Sequence, residues 1–97
     1  MQDTLSISPK LFTQATTTAV VALRLQNQSP HSSLFMQVTL DDTPPDDLRG
    51  AVLLWQGTTL TPDLPLHRLF PGVLANGGAG YVWLWADDGA TVSVSHA

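Results

Sequence analysis

Apolar and polar residues alternate with a period of two along several stretches of the chain, which is the pattern of a strand with one buried face. Residues 17–26 predict the clearest strand, one face of which is made of Ala19, Val21, Leu23 and Leu25. Residues 34–41 also alternate cleanly. Phe35, Gln37 and Thr39 are predicted to face outward, and the residues predicted to face the core are Leu34, Met36, Val38 and Leu40. No stretch of about ten residues carries the apolar stripe of an amphipathic helix.

Shorter alternating segments bring the predicted strands to six or seven, the first of them at residues 4–8. Two pairs of segments are spaced as hairpins, namely residues 51–55 with 58–60 around Gln56-Gly57, and residues 81–86 with 90–95 around Asp87-Asp88-Gly89. Short strands with turns about every 8 to 12 residues predict an all-β fold. We expect a small antiparallel β-sandwich or a jelly-roll-like barrel.

The connections between these strands are rich in proline, glycine and aspartate. Residues 41–47, Asp-Asp-Thr-Pro-Pro-Asp-Asp, cannot lie inside a sheet and predict an exposed connection, closed by one helical turn at residues 47–50. Residues 62–72 hold three prolines and predict a loop that is ordered by contact through its apolar side chains, Leu64, Leu66, Leu69 and Phe70. Residues 76–80, Asn-Gly-Gly-Ala-Gly, predict a turn.

A length of 97 residues allows one small domain, and we expect a single β domain over residues 1–97. The chain has no cysteine, so neither disulfides nor thiolate metal sites support the fold. Charged residues make up 12% of the chain, against about 25% in ordinary soluble domains, whereas hydrophobic residues make up 43%. This imbalance predicts a protein whose surface is partly covered by a neighbour.

The charge of the chain excludes two classes of partner. Four basic residues stand against eight acidic ones, which gives a net charge of −4, and the basic residues are scattered. Nucleic-acid binding requires a basic stripe, and membrane-surface binding requires a basic amphipathic helix. The longest apolar runs are about five residues, far short of the roughly 20 that span a bilayer. Because the N-terminus also lacks a secretory signal, we expect a soluble chain made in the cytoplasm.

The residue types that commonly bind metals or catalyse reactions show no diagnostic spacing. His31, His67 and His96 lie far apart in the sequence, each without a second ligand at metal-site spacing. The aspartate pairs lack the D-x-D-x-D-G pattern of a calcium loop, and residues 77–80 lack the Lys-Ser/Thr of a phosphate loop. No G-x-S-x-G elbow is present. We therefore expect no catalytic site, no cofactor and no metal.

The aromatic residues carry the strongest functional signal. One face of the strand predicted at residues 81–86 is formed by Tyr81, Trp83 and Trp85. The other face is formed by Val82, Leu84 and Ala86. One of these faces meets the core, and the other is then available to a partner or a ligand.

The turn that follows this strand decides between the two faces. A two-residue turn at Asp88-Gly89 would place Trp85 opposite Val92, which makes the aromatic face the core. A three-residue turn with Gly89 in the left-handed region would place Leu84 opposite Val92, and the tryptophans would point outward. The Asp-Asp-Gly order favours the three-residue turn.

Several segments together resemble the small all-β virion proteins of tailed bacteriophages. They are a threonine-rich strand leading into LRLQNQSP, the strand LFMQVTL, the segment WQGTTLTP and the C-terminal GGAGYVWLWADDGATVSVSHA. The resemblance implies a β-sandwich or jelly-roll-like fold and a role in decorating or cementing the capsid, or in capping a tail or fibre part. It also implies a homo-oligomer, typically a trimer clamped over capsid junctions, with residues 1–10 as an extended arm.

Two hypotheses of function follow. The first is a non-enzymatic virion structural protein, a capsid decoration or cement subunit that is assembled in the host cytoplasm and binds copies of itself and the major capsid protein. Its predicted interface consists of Tyr81, Trp83, Trp85, Leu66, Leu69 and Phe70. The alternative is a tail or fibre accessory protein, or a carbohydrate- or receptor-binding module with Trp83 and Trp85 as a stacking platform.

Overall fold

The computed structural model describes residues 2–16, 18–29, 33–46, 51–61, 65–74 and 79–95. In chain order these ranges hold β1 Gln2–Ile7, β2 Thr13–Gln14, β3 Arg24–Asn27, β4 Leu34–Thr39, β5 Val52–Leu54, β6 Thr59–Leu60, α1 Leu66–Leu69, β7 Tyr81–Trp85 and β8 Ala90–Ser95. The predicted helical turn at residues 47–50, most of the predicted turn at residues 76–80, and His31, Leu64 and His96 lie outside the described residues.

The strands form two antiparallel four-stranded sheets. Sheet A has the order β1-β8-β3-β6, and sheet B has the order β2-β7-β4-β5. Both orders follow from one long antiparallel double strand, in which β1 pairs with β8, β2 with β7, β3 with β6 and β4 with β5. Rolling that double strand also brings β8 beside β3 and β7 beside β4. This is the strand order of a jelly roll, so the predicted all-β sandwich is confirmed.

Successive strands almost always change sheet, which makes both predicted hairpins wrong. β5 and β6 lie in different sheets, and so do β7 and β8. The turn between β5 and β6 is nevertheless tight, because the N–H of Thr58 donates to the carbonyl of Trp55 at 3.0 Å and Gly57 has a φ of 79°. Gly89 likewise has a left-handed φ of 82°. The turn residues mark where the chain reverses but do not choose the sheet that the next strand joins.

The core lies between the sheets and takes alternate residues from each strand. The fully buried apolar side chains are Leu23, Leu25, Leu34, Met36, Leu66, Val82, Leu84, Val92 and Val94. The alternation predicted for β4 is confirmed at Leu34, Met36 and Val38. It fails at Leu40, which is 68% exposed, because β4 ends at Thr39 and the chain turns there into the aspartate-rich connection.

The strand predicted at residues 17–26 is confirmed only at β3. Between β2 and β3 the chain crosses from sheet B to sheet A, and the alternation changes phase on the way. Val20 is therefore buried, and it exchanges two backbone hydrogen bonds of 2.9 Å with Gly80. Val21, which was predicted to share a face with Leu23, is 51% exposed.

Within the segment predicted as an extended arm, residues 2–7 form a strand of the sandwich. β1 pairs with β8 along its whole length, from Gln2 opposite Ser95 to Ile7 opposite Ala90. Ile7 is buried in the core and Leu5 packs against it, so these two apolar side chains serve the fold itself. The last residues of the segment lead to sheet B, where the N–H of Lys10 donates to the carbonyl of Ala86 at 2.9 Å.

One buried polar side chain ties the two sheets together. Asn27 belongs to β3 in sheet A, and its Nδ2 donates to the carbonyl of Leu54 in sheet B at 3.1 Å. Its Oδ1 accepts the N–H of Ser29 at 3.1 Å. Its backbone groups pair with Gly57 and Thr58 in the turn between β5 and β6. Asn27 therefore sets the spacing of the sheets at this end of the sandwich and fixes the turn.

Replacing Asn27 should destabilise the fold, because Asn27→Ala removes two buried side-chain hydrogen bonds and leaves buried partners unpaired. We expect a loss of about 2 to 3 kcal/mol in the free energy of unfolding, measured by urea denaturation. Gln28→Ala, next to it but exposed, should change stability by less than about 0.5 kcal/mol. Equal stability of the two variants would contradict the role given to Asn27.

Gly80 should tolerate no side chain, because a Cβ there would overlap Cγ1 of Val38 and lie 3.3 Å from the carbonyl oxygen of Thr39. We expect Gly80→Ala to cost about 1 to 3 kcal/mol of stability by overpacking. Gly72→Ala is the matched control, since nothing lies within 4 Å of its Cβ position. The control should leave the urea midpoint unchanged or raise it slightly. A stable Gly80→Ala variant would mean that the Val20–Gly80 crossing is looser than described.

Candidate functional site

The outer faces of the two sheets differ sharply in chemistry. Sheet A presents mainly hydroxyl and amide groups, from Thr4, Ser6, Arg24, Gln26, Thr59, Thr91, Ser93 and Ser95. Sheet B presents aromatic and aliphatic groups among polar ones, from Gln14, Phe35, Gln37, Thr39, Leu53, Tyr81, Trp83 and Trp85. The outer face of sheet B is therefore the side of the sandwich that is suited to apolar contact.

The strand register arranges three of these side chains in a line across sheet B. Phe35 on β4 lies opposite Leu53 on β5 and opposite Trp85 on β7. The rings of Phe35 and Trp85 meet edge to face, with centroids 5.8 Å apart and an interplanar angle of 65°. We call Leu53, Phe35 and Trp85 the apolar row. All three are at least partly exposed, and Leu53 is 40% exposed.

Trp83 lies on the same outer face, one row away, but it is covered by its own chain. Its indole Nε1 donates to Oγ1 of Thr39 at 2.8 Å, and only 6% of the residue is exposed. Its cross-strand neighbour Gln14 donates a side-chain hydrogen bond to Asp42. Because β7 lies between β2 and β4, that bond links the two flanking elements across the outer face of β7.

Local side-chain hydrogen bonds fix the conformation of the connection after β4. Oγ1 of Thr39 donates to the carbonyl of Asp41 at 2.7 Å, and Oδ1 of Asp41 accepts the N–H of Thr43 at 3.1 Å. Asx and hydroxyl turns of this kind fix a loop without burying it. Its described residues, 41–46, are exposed apart from the half-buried Pro45, which confirms the predicted exposed connection up to that point.

The outward assignment of the aromatic face is correct, but its derivation is wrong. Val82, Leu84 and Ala86 are buried in the core cluster, so Tyr81, Trp83 and Trp85 point away from it. β7 and β8 form no hairpin, however, and Leu84 lies opposite Thr13 and Met36 rather than Val92. The length of the Asp-Asp-Gly turn therefore has no bearing on the face.

Three of the six predicted interface residues are placed where a partner cannot reach them. Trp83 is covered by its own chain, and Leu66 and Phe70 are core residues. α1 turns Leu66 inward, where its N–H donates to the carbonyl of Val21 at 2.8 Å, and Phe70 follows one turn later. The predicted ordering of this loop by its apolar side chains thus comes from the chain's own core. Leu69 is half-buried against that core.

Tyr81 and Trp85 are the predicted interface residues that combine an outward position with partial exposure. The structure adds Phe35 and Leu53 through strand pairing, and Trp55, which is 62% exposed just after β5. The alternation of residues 34–41 already placed Phe35 outward. Its contact with Trp85 could not be derived, because that contact depends on β4 and β7 being neighbours.

The described residues contain no group of three or more histidine or aspartate side chains placed to hold a metal ion. No helix among them is long and apolar enough to cross a membrane.

The two neighbouring tryptophans should respond differently to substitution. Trp83→Ser removes a buried indole and its hydrogen bond to Thr39, and we expect a loss of about 3 to 5 kcal/mol of stability, enough to unfold much of the protein. Trp85→Ser removes a half-exposed ring, and we expect a loss of roughly 1 to 2 kcal/mol with the fold retained. Circular dichroism during urea denaturation measures both. A native Trp83→Ser protein of unchanged midpoint would show that Trp83 is not held as described.

Comparisons of the chain with protein-family models, with curated proteins and with solved structures found no match.

Proposed function

We propose that this chain is a non-enzymatic structural protein of a bacteriophage virion, a decoration subunit that binds the capsid through the outer face of sheet B. The observation that carries the proposal is the apolar row, a line of Leu53, Phe35 and Trp85 on the outside of a finished sandwich. These side chains contribute nothing to the core between the sheets. Burying them against a shell would stabilise the bound state by about 25 cal/mol for each Å² of apolar surface removed from water.

The distribution of charge supports a partner that is met by apolar contact. The apolar row contains no charged residue, although the chain carries a net charge of −4. The nearest acidic groups in the sequence, Asp87 and Asp88, follow β7 and are exposed. Depletion of charged residues is usual at the centre of a protein interface. An adhesive subunit needs this arrangement and needs no catalytic group.

The fold and the resemblance point the same way. Jelly rolls with eight strands occur in viral capsid domains and in lectins, so the architecture is compatible with a capsid role. A decoration subunit acts by mass action, since it binds the assembled shell and not the dispersed one. At a free concentration one hundred times its dissociation constant, each occupied site stabilises the shell by about 2.7 kcal/mol.

The carbohydrate-binding alternative is weaker in this geometry. A sugar platform made of Trp83 and Trp85 requires two open indole faces, and Trp83 is 6% exposed beneath Gln14 and Thr39. Trp85 remains, and its ring already contacts the ring of Phe35 in an edge-to-face arrangement. Binding to tails, to fibres or to glycans is therefore an outcome that a particle-binding test distinguishes from binding to the capsid.

Binding to particles tests the proposal. Heads assembled from a phage that lacks this gene are mixed with the purified protein and sedimented. We expect the unchanged protein to bind, and Trp85→Ser to bind at least about thirtyfold more weakly, because removing a central interface tryptophan commonly costs at least about 2 kcal/mol. Thr91→Ala, on the outer face of sheet A, is the control and should bind normally. Binding to tails alone, or to a glycan array by the isolated protein, would contradict the capsid proposal.

A further inference from the structure

A short strap interrupts an aromatic stripe on the outer face of sheet B. The stripe is formed by Tyr81, Trp83 and Trp85, which point outward from alternate positions of β7. Tyr81 and Trp85, at its ends, are partly exposed, whereas Trp83 in the middle is 6% exposed. We call residues 40–43, the chain that leaves β4 and turns back over β7, the strap.

Hydrogen bonds fasten the strap on both sides of β7. At its start, Oγ1 of Thr39 donates to the carbonyl of Asp41 at 2.7 Å and accepts the indole N–H of Trp83 at 2.8 Å. On the far side, Oδ1 of Asp42 accepts a hydrogen bond from the side chain of Gln14, which lies opposite Trp83 on β2. The bond from Gln14 to Asp42 therefore closes the strap over β7 at the level of Trp83.

The strap buries none of its own side chains. All four of its residues are exposed, and Leu40, its one large apolar residue, is 68% exposed. The bond from Gln14 to Asp42 is also exposed, so water can replace it at little net cost. Segments with few buried apolar contacts and with solvent-exposed hydrogen bonds open at the lowest free energies. The strap meets these conditions, while the core behind β7 does not.

We propose that the strap opens as a local unit while the sandwich stays folded, and that opening joins Tyr81, Trp83 and Trp85 into one aromatic surface. The bonds that break are those that the strap makes with Thr39 and Gln14. The pairing of β7 with β2 and β4 is kept, so the three side chains stay in line. The low exposure of Trp83 belongs to the closed strap.

Opening has a consequence for binding, and that consequence alone rests on the proposed function. A partner that binds the open state meets only the open fraction of the molecules, and its apparent dissociation constant is raised by the inverse of that fraction. The closed strap thus reduces the apolar surface that the free protein shows to water and weakens its adhesion.

Hydrogen exchange of the Trp83 indole N–H, followed by NMR on the full 97-residue chain, tests the opening. We expect its free energy of opening to be lower than that of the backbone N–H groups of β7. Asp42→Ala removes the fastening bond and should speed the indole exchange about tenfold, which corresponds to about 1.4 kcal/mol. Asp42→Asn keeps an acceptor oxygen and should restore slow exchange. Asp46→Ala, exposed in the same connection but outside the strap, is the matched control and should change nothing.

A double-mutant cycle shows whether the hydrogen bond itself holds the strap. In a Gln14→Ala background, Asp42→Ala should give no further acceleration, because the bond is already absent. An indole N–H that exchanges only through global unfolding would overturn the strap, and so would one whose exchange Asp42→Ala leaves unchanged.

Binding to phage heads separates this inference from the proposed function. Because Asp42→Ala raises the open fraction about tenfold, we expect it to bind about tenfold more tightly than the unchanged protein. Faster indole exchange with unchanged or weaker binding would overturn the part given to Trp83 in adhesion. Failure of every variant to bind heads would contradict the proposed function, while the exchange measurement would still decide the opening of the strap.

Discussion

The buried side chain of Asn27 is the interaction on which the organisation of this molecule depends. A sandwich of two sheets is held together mainly by apolar contact, which has no direction and allows one sheet to slide on the other. The hydrogen bond from Asn27 to Leu54 joins β3 to β5 across that interface, and its geometry permits one alignment. The same residue holds the turn that carries Trp55. The end of β5 is thus held by the side chain of Asn27, and the turn that carries Trp55 is held by its backbone.

The rolled double strand explains why the functional face lies where it does. Each strand of sheet B gives alternate residues to the core and to the outside, so the strand order decides which outward residues become neighbours. β4 lies between β5 and β7, and for that reason Phe35 joins Leu53 to Trp85. Sheet A follows the same rule with small polar residues. The sandwich therefore has one outer face suited to apolar contact.

Trp83 and Trp85 are equivalent in the sequence pattern, but the rest of the chain covers only Trp83. Trp83 and Trp85 are two positions apart on one strand face, yet the first is covered and hydrogen-bonded to Thr39, while the second is open beside Phe35. The difference arises because the connection after β4 folds back across β7, where Asp42 accepts a hydrogen bond from Gln14. Trp83 is thus a support for the outer face, and the contact surface is shifted toward β5.

The sequence by itself determined the fold class, the division of β7 into an aromatic and an aliphatic face, and the alternation within β4. These features depend on the side-chain period of a single strand, which is local. Only the tertiary structure decided the sheet to which each strand belongs, because turn residues specify a reversal and not a partner. It also decided that Leu66 and Phe70 enter the core, and that residues 2–7 pair with β8. Those outcomes depend on which distant segments meet when the double strand rolls up, and no local pattern records that choice.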